Sequence, residues 1–527
     1  MRDSRKRVAI LLLTGVMLLA VGLAIYAAGG TTEIRRGGTI SVAIPGPVMQ
    51  LDPHKVKGDE AYHATFHIFS ALTRITRDFN AEPELADSWE HSADAKVWTF
   101  HINQNAYFTN GRQVTAEDVK FSLERVLDKE VCPRGWNAIG PIEQIEVIDK
   151  FTVVIKLTKS YLDLPVDLGG VYPRIVAKEN IDQIDTNPIG SGPFKLKKWD
   201  PVGVTVLERN DNYFMMGEDG KSLPYIDEYR IVPIKENMSQ LAALKSGDID
   251  LVYRVSYDLI SQALLDKQIV IQGTPTLGYQ PIVLNLDPEI YEGQNAAERR
   301  VFRNDQLRQA FSYIIDRKAA LQMSLSGYGI IGNDQPIPRF HVYGNPNEEQ
   351  KTQDIELAKK LLAEAGVAPG THFKMYTSPG RPGMMELAVA FQQMAREAGI
   401  VIDLEVIDIS RYWADIEFKE PLMTSNWGGR QTVNACIKPY YHSEGGKNES
   451  HYSDPELDKV LEQAEGETDF EKRRELYWKA MEMVSESSAT IIPYFKNHYM
   501  GLSQDVRGVD VHPMAYLWVD RAWFITQ

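Results

Sequence analysis

Residues 285–338 read NLDPEIYEGQNAAERRVFRNDQLRQAFSYIIDRKAALQMSLSGYGIIGNDQPIP. The stretch is an extended segment feeding an amphipathic helix. Leu307, Ala310, Phe311, Ile314 and Ile315 fall on one face at helical spacing. Gly327, Gly329 and the Pro336-Ile337-Pro338 run then close the unit with turn chemistry. Nothing in it is catalytic: it holds no nucleophile beside a base, no phosphate loop and no set of metal ligands.

Outward from this block, the bulk numbers narrow the function. A chain of 527 residues is long enough for roughly three domains of ~150 residues. Its 43% hydrophobic and 24% charged content is that of a globular protein with a large core. Lys and Arg number 57 against 72 Asp and Glu, a net charge of −15. So acidic a chain lacks the basic surface that nucleic acid requires. At the N-terminus, Arg2, Arg5, Lys6 and Arg7 precede an uncharged apolar run from Val8 to Ala28. That is the pattern of an export signal, and the run is also long enough to span a bilayer. Residues 1–30 are therefore read either as a cleaved signal, with Ile25-Tyr26-Ala27 the best small-residue site, or as a retained anchor; both put the body outside the cytoplasm. Cys132 and Cys436 could form one disulfide or remain two thiols.

Along the chain, strands alternate with helices, which argues for α/β layers. Ile40, Val42 and Ile44 alternate as a strand ending at Pro45-Gly46-Pro47; a helix is expected over Ala61–Arg74. Trp98, Phe100 and Ile102 share a strand face, and Asn110-Gly111 is a turn. Thr115 with Asp118 is a capping box opening a helix through Leu127, and Phe151–Leu157 alternates as a strand. This region reads as a compact α+β unit. Gly190-x-Gly192 is followed by a strand-like run and not by a helix, so it is a turn into sheet and not a phosphate loop. A strand over Tyr229–Ile234, and helices Met238–Ser246, Ile355–Ala365 and Met384–Ala398, stopping at Gly247, Gly366 and Gly399, complete the pattern. Ile402, Leu404 and Val406 alternate as a strand. Ser453 with Glu456 reads as a second capping box, for the helix Glu456–Glu465, and the helix Glu471–Ser485 follows.

The order Asn-x-x-x-Pro, Arg-Gln-Ala, Ile-Asp-Arg, Gly, Pro-x-Pro in the 285–338 block resembles the family 5 extracellular solute-binding proteins, the peptide-type receptors of ATP-driven importers. Four further segments are similar to that family: Glu84–Trp89 with Trp98–Ile102 and Phe108–Gly111; Gly190–Phe194 with Asn210, Tyr213 and Phe214; Ala358–Gly366; and Tyr452–Asp458. The resemblance implies a two-lobed periplasmic-binding-protein type II (cluster C) α/β fold, with an extra α+β subdomain in lobe 1 at about 75–187. The chain crosses near Leu277–Pro281 and Pro493–Tyr499, giving lobe 1 residues 37–279 plus 497–527 and lobe 2 residues 280–496. Hinged closure on a solute is then the expected motion. A permease and an ATPase are the implied partners, the protein is expected to be a monomer outside the cytoplasmic membrane, and no cofactor is implied. The lipid-modified cysteine common in such receptors is missing from the export segment.

In the peptide-binding members an Asp shortly after a Gly-Trp pair holds the ligand's ammonium, and in the dipeptide type an Arg before a Pro holds its carboxylate. Here Gly380-Arg381-Pro382 resembles the second element. Asn426-Trp427-Gly428-Gly429-Arg430 departs from the first, with an Arg where the dipeptide type has its Asp. An ammonium facing Arg430 costs roughly several kcal/mol when both are desolvated. Arg381 and Arg430 are thus expected to offer charge-assisted donors to an anionic or polyhydroxylated solute. Trp427 is expected as an aromatic cleft wall, with Gly428 beside it and Met49, in the Pro45–Met49 loop, facing from lobe 1. Tyr412, Trp413, Tyr440 and Tyr441 are weaker candidates. His63 and His67, at i, i+4, have the spacing of a metal pair but lack a third ligand. The competing readings are an extracellular hydrolase, for which no nucleophile elbow or HExxH is present, and a chaperone-like module.

Overall fold

The computed structural model describes residues 34–525. The segment 1–30, read above as signal or anchor, lies outside them. Among the described residues no helix is long and apolar enough to cross a membrane.

The alternation at Ile40, Val42 and Ile44 produces the strand Thr39–Ile44, but Ala43 is buried too. The strand lies mid-sheet, parallel to Glu228–Pro233 on one side and Leu251–Val252 on the other, and both faces are covered: Ile40, Val42 and Ile44 pack in one apolar cluster and Ala43 in another. The full sheet runs, edge to edge, Ile269–Tyr279, Tyr494–Ser503, Leu251–Val252, Thr39–Ile44, Glu228–Pro233, Thr205–Arg209, Phe194–Lys198, with Gly329–Ile331 also pairing Tyr494–Ser503. A second sheet has the order Val401–Val406, His372–Thr377, Leu422–Thr424, Ile282–Leu284, Thr490–Ile491. Each sheet has its own apolar core, which makes two lobes. The chain passes from the first sheet to the second at Gln280–Pro281, and back at Ile492–Pro493.

A four-stranded antiparallel sheet, Ala86–His91, Val97–Ile102, Thr152–Leu157, Ile142–Asp149, forms the small α+β unit. Trp98, Phe100 and Ile102 are buried in its core, together with Val119 and Leu123 of the helix Ala116–Leu127, whose capping box is Thr115 with Asp118. Gly190 and Gly192 follow from close approach. A Cβ at Gly190 would lie 1.9 Å from the Ile68 carbonyl oxygen, and one at Gly192 would lie 2.4 Å from that of His67.

Three local readings are corrected. The helix expected to Arg74 is Asp59–Ile68 and stops at Phe69, because Thr73–Ile75 pairs as a strand with Ala81–Pro83. There Arg74 joins a buried ion network with Glu84 and Asp520. The helix of the 285–338 block is two helices. Asp305–Ile314 ends where Ile315 turns extended, and Asp316 caps Arg317–Leu325 by accepting from the Lys318 and Ala319 amides. Finally, the helix Pro455–Gly466 is capped by Asp454, not Ser453. Cys132 and Cys436 are both buried and free.

Candidate functional site

The seam between the lobes brings together most of the residues singled out above. Its scaffold is Gln280, at the first crossover. Gln280 Nε2 donates to the Pro382 carbonyl at 2.6 Å, its Oε1 accepts from the Tyr494 hydroxyl at 2.7 Å, and it lies 3.4 Å from Asn426 Oδ1. The Arg381-Pro382 loop and the Asn426–Arg430 segment are thus tied to one side chain. Gly383, with φ +87°, starts the helix Met384–Glu397; a Cβ there would strike Gln280 at 2.5 Å.

Trp427 bridges the crossover strand: its N–H and C=O pair with those of Tyr279, each at 3.0 Å. Gly278 permits this, since a Cβ there would sit 3.2 Å from Trp427 O and from Gly429 N. Trp427 is only 4% exposed. It stacks on Tyr440 at 4.3 Å, and its indole N–H donates to Glu449 Oε1 at 2.7 Å and Ser425 Oγ at 3.1 Å. The expectation of Trp427 as an aromatic cleft wall meets a buried side chain: its ring is packed inside the segment and its one donor is already engaged. Tyr412, Tyr440 and Tyr441 are likewise buried. Arg381, Gly428 and Arg430 are exposed. Arg430 reaches the Tyr440 hydroxyl at 3.5 Å. Burial raises the phenols of Tyr172 and Tyr516, from the opposite lobe, and Arg430 is among the charges opposing that rise. Met49 is 74% exposed, next to Val48, whose carbonyl accepts from the Trp199 indole.

On the opposite lobe, Asp59, Tyr62, His63, Phe66, Tyr253 and Tyr516 line a narrow crevice of about 10 Å³, room for a single water. A roomier hollow, about 580 Å³, lies beside Tyr107 and Phe214, but no charged side chain lines it. His63 and His67 do not face a common ion. The His67 Nδ1–H donates to His63 O at 2.7 Å, and its Nε2 accepts from the Val519 amide at 3.2 Å. Burial pulls the two imidazoles down to about 3 and about 4.

Sequence reasoning missed Arg254, Asn426 and Lys496. Arg254 pairs with Asp59 at 3.2 Å. Lys496 Nζ donates to Asn426 Oδ1 at 2.7 Å. Lys496 lies in the Pro493–Tyr499 stretch already identified as an inter-lobe crossing, which was the available signal.

The sequence profile of the bacterial extracellular solute-binding proteins, family 5 (middle region), matches residues 80–448. The oligopeptide-binding protein AppA of Bacillus subtilis is 22% identical over 99% of this chain and 100% of its own length. The probable D,D-dipeptide-binding periplasmic protein DdpA of Escherichia coli is 25% identical over 88% of this chain and 90% of its own. Among solved structures, the ABC transporter substrate-binding protein CtaP of Listeria monocytogenes superposes with TM-score 0.81 at 21% identity, covering 93% of this chain and 100% of that one. HbpA2 of Haemophilus parasuis gives 0.80 at 23%, covering 92% and 100%. Those structural likenesses establish the two-lobed fold, and with the profile spanning well over half of its length, the chain belongs to the family 5 bacterial extracellular solute-binding proteins.

Proposed function

We propose that the protein is the extracytoplasmic receptor of an ATP-binding-cassette importer. It closes two hinged lobes on a peptide-like or other small polar solute and delivers it unchanged to a membrane permease. The observation that carries this is the convergence of the Arg381 loop and the Asn426–Arg430 segment on Gln280, at the first crossover between the lobes. The peptide-binding names of AppA and DdpA support the solute class. In this reading lobe 1 comprises 37–279 and 497–527, with the small unit at about 75–187, and lobe 2 comprises 280–496. Arg381, Gly428 and Arg430 face the solute, Trp427 stiffens the wall behind them, and Met49 belongs to the lobe 1 rim. The receptor acts as a monomer held near the membrane by residues 1–30 or released after their removal.

The test is tryptophan fluorescence against a solute library, with chemical analysis of the recovered solute. A saturable shift with the solute unchanged is expected. Product formation would make the protein an enzyme, and silence across peptides, sugars and organic acids would overturn the receptor reading.

A further inference from the structure

Lys496 is the third residue of the strand Tyr494–Ser503, immediately after the second crossover. Its stem lies against Gly278, where a Cβ would meet Lys496 Cε at 3.3 Å. The ammonium has three donors, and one is engaged by the neutral Asn426 carbonyl oxygen. Among the described residues it has no carboxylate partner. The charged groups acting on it are Arg254 and Arg381, both cations; the neighbouring strand offers only Thr276, whose hydroxyl donates to the Lys496 carbonyl. Asp59, the nearest acid to Arg254, is bound to that Arg. In a chain of net charge −15, a part-buried cation gathered with other cations and left without an acid is a local conflict of the kind that marks functional sites.

Resting on the receptor reading above, we propose that Lys496 is the anchor for a carboxylate of the solute, so that the receptor selects anionic solutes and needs no free ammonium on them. Asn426 orients the anchor, Arg381 and Arg254 add to the positive field, and Arg430 repels a cationic terminus. Desolvation, then Arg254 and Arg381, pull the Lys496 ammonium down to about 7. An arriving carboxylate opposes all three effects, so binding takes up a proton near neutral pH.

The experiment uses the purified protein with N-acetyl-alanyl-alanine as the free acid and as the carboxamide, by fluorescence and by calorimetry in buffers of different ionisation enthalpy. The acid is expected to bind about tenfold or more tighter than the amide, with proton uptake. Its affinity is expected to fall about tenfold between pH 6.5 and 8.5, as the charged form of Lys496 is lost. K496M is expected to abolish the acid preference and the proton uptake. Removing a desolvated cation is also expected to raise the Tm of K496M, more at pH 6 than at pH 9, which separates lost binding from lost folding. Equal binding of acid and amide, binding of neither, a preference retained by K496M, or the absence of proton uptake in the unmodified protein would each overturn the assignment. The receptor reading itself survives all four if a neutral solute in the wider library binds.

Discussion

On one flank of the seam, the loop after the strand Thr152–Leu157 meets the helices Val433–Tyr441, Pro455–Gly466 and Phe470–Ser487 with its charges matched. Arg473 pairs with Asp163 at 2.8 Å, both nearly buried; Lys159 and Lys438 share Glu465 at 2.7 and 2.6 Å; Asp167 accepts from Gln431 at 3.1 Å. In the middle of the seam, Lys496, Arg381 and Arg430 have no such acids among the described residues. The contrast separates two uses of the same residue types. Where a cation from one lobe finds an acid from the other, the pair holds the lobes together; where cations are collected without acids, the missing charge is left for the solute to supply. Burial of an unpaired charge is costly, so the second arrangement persists only with a compensating role.

The sharpest way to break the contrast is Arg473→Met. Burial works against the guanidinium charge, and Asp163 together with Tyr477 and Tyr343 more than offsets it. Removing the cation leaves Asp163 buried and alone, a loss of about 3–5 kcal/mol in urea unfolding, most of it recovered in Arg473→Met with Asp163→Leu. A single substitution that costs nothing would erase the distinction between the flank and the middle. Next, Trp427→Phe keeps the stacking but strands Glu449 and Ser425 without their indole donor, an expected cost of about 1–3 kcal/mol in the same measurement.

The Glu449 carboxyl is raised by burial and then by Glu417. A carboxyl that holds its proton more tightly when folded stabilises at low pH. That contribution is lost as pH climbs from the ordinary carboxylate range through the raised value. Glu449→Gln should therefore flatten the decline of Tm between pH 5 and pH 9; an unchanged slope would show that the pair does not titrate there. Smaller still is the middle of the seam. Replacing Arg381 and Arg430 together by Ala should move stability by no more than about 0.5 kcal/mol, while weakening binding of an anionic solute at least tenfold. Binding unaffected by the double change would remove both from the site. Last, Lys159→Met removes the exposed partner of Glu465, which keeps Lys438, and should cost under about 1 kcal/mol and less in high salt.

Much of the scaffold was legible in the residues because local rules and the tertiary fold agree. Thr115 and Asp118 form their capping box, Gly247 takes its left-handed cap, and Trp98, Phe100 and Ile102 bury one strand face. The failures lie where a distant partner outbids local preference. Residues 70–74 have helical periodicity, yet Ile175 N bonds Ser70 O, and Leu85 N bonds Ala71 O, pulling the chain into sheet. Ile315 keeps the apolar face expected of it but sits between two helices, where Asp316 caps the second. At the seam, Arg381, Gly428 and Arg430 were singled out through motif order, while the burial of Trp427 behind them was not read. Its indole donor is captured by Glu449, twenty-two residues later, and nothing local announces that bond.

What the sequence determined by itself is the class of machine: an acidic α/β chain carrying five segments in the family 5 order. These are properties of composition, periodicity and order, and each is written within a few residues. What only the tertiary structure decided is which charges are spent and which remain. Lys496 and Lys438 are indistinguishable as letters. One meets Glu465 at 2.6 Å and the other meets a neutral amide within the field of Arg254 and Arg381, because the chain crosses between its lobes at Pro493 and sets that strand against Asn426. Charge pairing is a matter of distance in space, and that distance is set by the crossover.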